Sequence, residues 1–354
     1  MKKLMTTALA AAVLVGGALA APAHADTREL RFAEFGPNSG ARSLGLKWLD
    51  EEMRARSEGT LGLDIIWGGA LVGAAGAAKA ISDGVADMGS IVPIYAPGLL
   101  VTYEVADKLQ FPDEYVGVMA TYELMTTEPA ALAEAEAFNV KYFGNYTTGP
   151  TQLLSRDKPV DSLEALAGMT IRANGAMVPA FEKYGATTVS MPQTKTYEAL
   201  SSGAVDGSAT YYYVVDGYKQ YEVADYMTEL NMGQILGFGI VMNQQTYDSL
   251  SPEHKTLVDE LGLDFTAKMA EIMYTQRSET KARLAAGIDG KKVQMVQPSE
   301  DMRAALMAAA EKDADNWLEK ANGKGLDGDA ILARYRALVD KYQADVDANG
   351  HPWK

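Results

Sequence analysis

The chain has 354 residues, 47% of them hydrophobic, no cysteine and a formal net charge of -15. That length and apolar content suffice for one large lobe or two medium ones, each with its own core. An acidic surface repels phosphate backbones and anionic headgroups, which argues against nucleic-acid binding, and the lack of cysteine excludes disulfides, thiolate metal sites and thiol nucleophiles.

Lys2 and Lys3 precede an apolar, Ala/Leu-rich run from Leu4 to Ala21, and Ala23-His24-Ala25 forms an Ala-x-Ala step before polar Asp26 and Thr27. These are the parts of a bacterial secretion signal, so the working chain is expected to start near Asp26 and to act outside the cytoplasm. An uncleaved membrane anchor is the alternative, because the run nears the roughly 20 residues that span a bilayer; the small residues and the Ala-x-Ala step weigh against it. No cysteine follows the apolar core, so a freely soluble product is expected rather than a lipoprotein. Removing residues 1 to 25 takes away two lysines and no acid, which moves the net charge from -15 to -17.

Next come a strand over Leu30–Phe35, an amphipathic helix over Ala41–Arg56, a strand over Leu61–Trp67 and a helix over Ala74–Ser82. A second series repeats the order: strand Met169–Ala173, helix Ala176–Tyr184, strand Thr187–Ser190 and helix Thr194–Ser201. Each series closes on the same motif, AKAISDGVADMGS at Ala78–Ser90 and YEALSSGAVDGSA at Tyr197–Ala209. A helix running into Gly, then an Asp leading into a strand, accounts for it. Two α/β lobes of similar build follow, each with a mainly parallel sheet flanked by helices. Gly237–Asn243 reads as a strand returning the chain between lobes. Ser251-Pro252 opens a helix that continues to about Ala286, roughly 50 Å long at 1.5 Å per residue, enough to lie across both lobes, with Gly262 as a candidate kink. A helix from Ser299 to about Lys320 follows. The terminal helix carries Ile331, Tyr335, Leu338 and Tyr342 on one face, for which core packing and a dimer contact are equal alternatives. The division expected is 26–148 with 237–280 as lobe I, 149–236 with 281–325 as lobe II, and 326–354 as a terminal amphipathic helix and tail.

Beyond the secretion signal the only histidines are His254 and His351, so neither a histidine-based triad nor a histidine-rich metal site can be assembled. G-x-S-x-G, Walker A and H-E-x-x-H motifs are absent. The run Gly68, Gly69, Gly73, Gly76 does not have nucleotide-loop spacing and reads as a loop where backbone approaches a ligand or the other lobe. No catalytic group, cofactor or metal is assigned. In open α/β sheets ligands sit beyond the carboxyl ends of the strands, here Phe35 to Asn38, Trp67 to Gly69, Ser90 to Tyr95, Arg172 to Asn174 and Thr210 to Tyr213. Arg172 alone brings a full positive charge to these edges, just before a helix whose free N–H groups favour anions, and its fork of donors suits a carboxylate or sulfonate. The competing reading pairs it with a neighbouring Glu or Asp. Tyr211, Tyr212 and Tyr213 alternate faces if extended, so two could line a cleft; aromatic core is the other reading.

The stretches SLEALAGMTIRANG (162–175), YGATTVSMPQTKTYEALSSGAVDGSAT (184–210) and NQQTYDSLSPEHKTLV (243–258), with the segment around Gly69 to Leu71, resemble the solute-binding proteins of tripartite ATP-independent periplasmic (TRAP) transporters of the dicarboxylate-binding type. The resemblance covers nearly all of the chain beyond residue 25. It implies two lobes hinged by strands and a bridging helix, closing on a small organic acid, with Arg172 as the residue that binds the acid's carboxylate. Where sialic-acid binders of the family carry a second ligand Arg and an Asn, Gln152 and Thr210 stand here, so sialic acid is not the expected ligand. Arg156 is placed on the surface. Gln152, Asn174, Thr210 and Tyr211 offer neutral hydrogen bonds suited to a hydroxy or keto acid or a sulfonate; Phe35, Trp67 and the tyrosines keep an aromatic acid open.

The function expected is therefore a non-catalytic periplasmic receptor that delivers one small organic anion to a membrane permease. The ligand contacts expected are Arg172, Gln152, Asn174, Thr210, Tyr211, Tyr213, Phe35, Asn38, Trp67, Gly69 and Tyr95. A sensor subunit presenting its closed form to a kinase and a secreted enzyme acting on small acids are the alternatives. Association as a monomer or a homodimer is left open.

Overall fold

The computed structural model describes residues 27–354 except 97, 110 and 112. The expected secretion signal lies outside the described residues.

The first series folds as β1 (Arg28–Ala33), α1 (Gly40–Arg56), β2 (Leu61–Ile66), α2 (Ala77–Ser82) and β3 (Met88–Ile91). Next come α3 (Glu114–Thr127), α4 (Pro129–Ala137) and β4 (Val140–Asn145), then β5 (Thr151–Ser155) in the other lobe. The second series is β6 (Thr170–Arg172), α5 (Met177–Glu182), β7 (Thr187–Val189), α6 (Thr196–Ser202) and β8 (Gly207–Thr210). It leads through α7 (Tyr212–Gly217) and β9 (Tyr226–Met232) to β10 (Gly239–Asn243) and α8 (Gln244–Asp248). The chain finishes with α9 (Pro252–Ala286), β11 (Gln294–Val296), α10 (Glu300–Ala310), α11 (Lys312–Gly323) and α12 (Gly328–Asn349).

One sheet has the order β2-β1-β3-β10-β4, the other β11-β9-β5-β8-β6-β7. Within each series the pairing is parallel, as β1 with β2 and β3, and β6 with β7 and β8. The antiparallel pairs come from β10 and β5, which arrive from the opposite lobe and run against their neighbours. Both sheets are consequently mixed.

The repeated Gly/Asp motif has a shared geometry. Gly84 and Gly203 both take the left-handed conformation, φ 76 and 77, after their helices, where a Cβ would be strained. Asp87 Oδ2 then accepts from Arg31 N at 2.8 Å and Asp206 Oδ2 from Thr170 N at 2.7 Å. Each carboxylate thus ties the entry of the third strand to the first strand of its own series.

Helix α9 is continuous over 35 residues, capped by the Ser251 hydroxyl accepting from His254 N. Leu257, Val258, Leu261, Phe265, Met269 and Met273 belong to the core of lobe I, and Leu284 to a core of lobe II, so the helix spans the two. Gly262 is a point of close approach: a Cβ there would fall 2.2 Å from Phe143 O on β4.

One expectation is revised, and one of two open alternatives is met. Residues 299–320 form two helices rather than one. Helix α10 packs in lobe II through Met302 and Leu306, whereas α11 sits in lobe I: Trp317 Nε1 donates to Val101 O at 2.8 Å, Lys108 pairs with Asp313 at 2.7 Å and Lys320 with Glu104 at 2.6 Å. The chain therefore leaves lobe II near 311 instead of 325. The stripe Ile331, Tyr335 and Leu338 on α12 is buried in the core of lobe I, and Tyr342 donates to Glu123 on α3, so its face packs internally.

Candidate functional site

A cleft of about 790 Å³, including the part open to solvent, lies where both lobes and their connections meet. Lobe I contributes Phe35 after β1, Arg42 on α1, Tyr95 after β3 and Asp107; lobe II contributes Arg172, Asn174, Gln193, Tyr211 and Tyr213; the connecting segments contribute Thr148, Thr151, Gln234 and Phe238. Four of the five strand ends expected to carry the ligand converge here, because each series delivers its loops at the carboxyl edge of its sheet, while the end of β2 at 67–69 contributes nothing to the lining.

Arg172 is the last residue of β6 and only 3% exposed. Its Nε and Nη2 donate to Met191 O at 2.9 and 2.7 Å, Nη1 to Ala209 O at 3.0 Å and Nη2 to Tyr95 OH at 3.2 Å. Every one of these partners is neutral, and among the described residues no Asp or Glu is ion-paired with it. The reading that pairs Arg172 with a neighbouring acid is thereby removed. A buried guanidinium without a counter-charge is costly. Beside it, Asn174 Nδ2 donates to Met191 O at 3.2 Å, and Asn174 Oδ1 accepts from Ser190 Oγ.

The walls are aromatic. Tyr211 and Tyr213 stack with ring centroids 6.2 Å apart and an interplanar angle of 14°. Burial pushes both phenols far up, so they stay neutral hydroxyls. Phe35 stacks on Phe238 at 5.9 Å. The three consecutive tyrosines split between faces as expected, although Tyr212 and Tyr213 open α7 instead of extending a strand: Tyr212 turns away and donates to Glu229 at 2.5 Å.

Of the residues expected at the ligand, Arg172, Asn174, Tyr211, Tyr213, Phe35 and Tyr95 line the cleft. Gln152 does not: it is buried against Pro150 O and Asn231 Oδ1 at 3.0 and 2.9 Å. Thr210 is spent on Gln220 at 3.3 Å, and Asn38 accepts from Ser43 Oγ at 2.9 Å. Trp67 packs against the core of lobe I. Gly69 folds back on β1, donating to Glu34 O at 3.0 Å while Gly68 donates to Gly36 O at 2.8 Å, so that turn approaches backbone rather than the cleft. Arg156 lies outside the lining and pairs with Asp157 at 3.7 Å.

Arg42, Asp107, Gln193, Tyr218 and Phe238 line the cleft without having been expected there. Arg42 pairs with buried Glu34 at 2.9 Å and stands over the rings of Phe35 and Phe238, 4.9 and 5.3 Å from their centroids. A usable signal was its place in the first turn of a helix that opens at the carboxyl end of β1. Gly36 was a second: a Cβ there would lie 1.1 Å from Arg42 Nη2, so the glycine makes room for the guanidinium.

Residues 32–321 match the family described as bacterial extracellular solute-binding protein, family 7. A solute-binding protein of Sulfitobacter sp. strain NAS-14.1 is 27% identical over 213 residues, which covers 56% of this chain and 62% of that one, less than two thirds of the relative's length. Among solved structures, a marine-metagenome TRAP solute-binding protein described as specific for aromatic acid ligands, in complex with metahydroxyphenylacetate, superposes with a TM-score of 0.79 at 26% identity, covering 89% of this chain and 99% of that one. A TRAP solute-binding protein of Rhodoferax ferrireducens with copurified benzoate gives 0.80 at 23% identity, over 90% and 100% of the chains, and bears on the fold alone. Among the described residues no helix is long and apolar enough to cross a membrane. With the family matching most of the chain and the same two-lobed architecture recurring in these structures, the chain belongs to the family 7 bacterial extracellular solute-binding proteins.

Proposed function

We propose that this protein is the periplasmic receptor of a TRAP transporter, capturing a small carboxylate with an aromatic body between its lobes and handing it to the membrane permease without chemical change. The single observation that carries the proposal is Arg172, a buried guanidinium held by carbonyl oxygens and one phenol, with no acidic partner among the described residues. A ligand carboxylate would complete that charge in a cleft shielded from water, where the attraction gains strength. Tyr211, Tyr213, Phe35 and Phe238 would cover the apolar body, Asn174 and Tyr95 would add neutral polar contacts, and contacts to both lobes would favour closure. The relative described as specific for aromatic acid ligands supports this choice of body.

Calorimetric titration with benzoate tests the anchor. Arg172→Met is expected to weaken binding by about tenfold to a hundredfold, given roughly 1.5–3 kcal/mol for a hydrogen bond to a charged group. Equal affinity in the two proteins would remove Arg172 from the anchor role. Recovering the ligand unaltered after prolonged incubation is the companion measurement, because a changed ligand would point to an enzyme.

A further inference from the structure

The second guanidinium of the cleft is built differently from the first. Arg42 arises from α1 of lobe I, and its side chain is 6% exposed. Its ion pair with Glu34 and its contact with Tyr218 OH at 3.2 Å both run through Nη2. Glu34, in contrast, is fully engaged: one oxygen also accepts from Gly36 N and the other from Ser90 Oγ. The residue left short is therefore the arginine, whose Nε is buried without any hydrogen-bond partner among the described residues. Buried donors without acceptors are rare and costly. Nor does an ion pair in an apolar setting usually improve stability over apolar residues of the same volume. An arginine that lines a cleft, is held in place by two phenyl faces and a carboxylate, and still has a donor to give is arranged for an acceptor that arrives from outside.

The neighbouring charge decides which acceptor. Glu34 already neutralises Arg42, so a second carboxylate on the ligand would meet an occupied cation and lie against the Glu34 charge. A neutral oxygen, such as a hydroxyl, meets the donor without that repulsion. We infer that Arg42 is the lobe I anchor of the cleft, donating to a neutral oxygen on a ligand whose carboxylate is held by Arg172 of lobe II, and that it selects hydroxylated arylcarboxylates over unsubstituted ones and over aryl dicarboxylates. The inference rests on the proposed carboxylate role of Arg172 and extends it to the other lobe. A ligand meeting both arginines ties the lobes together directly.

The test titrates wild-type protein with benzoate, 3-hydroxybenzoate, 4-hydroxybenzoate and terephthalate. At least one hydroxybenzoate is expected to bind about tenfold to a hundredfold more tightly than benzoate, as for a hydrogen bond from a charged donor, and terephthalate more weakly than either. The preference is then read in Arg42→Met/Glu34→Gln, which removes both charges so that neither is left buried alone, and in Arg42→Lys, which keeps the ion pair but not the planar fork. In both variants the hydroxybenzoate-to-benzoate ratio should fall about tenfold or more, whatever happens to benzoate itself. A preference that survives in a folded variant, or wild-type protein that binds benzoate and both hydroxybenzoates alike, overturns the Arg42 role and leaves Arg172 untouched. Failure of all four acids to bind wild-type protein removes the carboxylate reading and this inference with it.

Discussion

Asp107 is the carboxylate that lines the cleft among the described residues. Its Oδ1 accepts from Leu236 N and Gly237 N, both at 2.7 Å, on the segment linking the lobes. Burial pushes its carboxyl up to about 6, opposed by nearby Lys108 and the two backbone N–H groups and reinforced by Asp313. Below that pH the group is neutral, and above it an added negative charge would face an anion held as proposed by Arg172. Benzoate affinity should therefore fall by roughly 1 kcal/mol, about fivefold, as pH rises from 5 to 7.5. Asp107→Asn keeps an oxygen for both N–H groups and should flatten the profile; titrations at several pH values decide, and an unchanged slope in the variant would assign it to another group. The place of Arg172 in the cleft was legible because it ends an apolar strand at the carboxyl edge of a sheet, whereas spacing alone did not separate a free cation from one paired with a neighbouring acid. Arg42 was not, because its helix was read for one buried face, and a cation on such a face is indistinguishable by spacing from one on the solvent side. Gln152 and Thr210 were misplaced because position along a strand does not reveal which neighbour consumes a polar side chain.

Helix α9 owes its packing to a missing side chain. Gly262 brings the helix onto β4, where an added Cβ would sit 2.2 Å from a backbone oxygen that cannot rotate away. Gly262→Ala should cost about 1–3 kcal/mol in urea unfolding, as overpacked cores do. Gly323→Ala at the end of α11 meets nothing within 4 Å and should be neutral or gain up to about 1 kcal/mol from helix propensity. Equal effects at the two glycines would count against the close-approach account. The sequence predicted α9 well, since a capped start and unbroken helical spacing are local properties. The same spacing misjudged 299–320: helical periodicity continues through residue 311, while the side chains on either side of it pack in different lobes. Likewise the two β-α-β-α-β series were legible because their Gly and Asp act locally, whereas the antiparallel strands depend on how the lobes exchange chain.

At the scale of the molecule, Glu114 at the start of α3 is completely buried, and Arg277 of α9 lies 3.2 Å away, out of line for a hydrogen bond. Burial pushes this carboxyl up to about 7, with Arg277 pulling it back. An acid whose pKa rises on folding binds its proton more tightly in the native state. Its contribution to stability is full below its ordinary value near 4.5 and is lost as pH rises through about 7. Relative to wild type, Glu114→Gln should therefore gain up to about 3 kcal/mol between pH 4.5 and 8.5 in urea unfolding. A difference that does not vary with pH would place the titration elsewhere.

The chain passes between the lobes at 145–151, at 232–239, along α9 and again near 311. Lobe I is thus closed by its last arrivals: Trp317 and Tyr335 fill a core begun by Leu30 and Phe32. During synthesis an incomplete chain lacks part of that core until the final few dozen residues have left the ribosome. Such a chain cannot complete lobe I before α11 and α12 are available to pack on it.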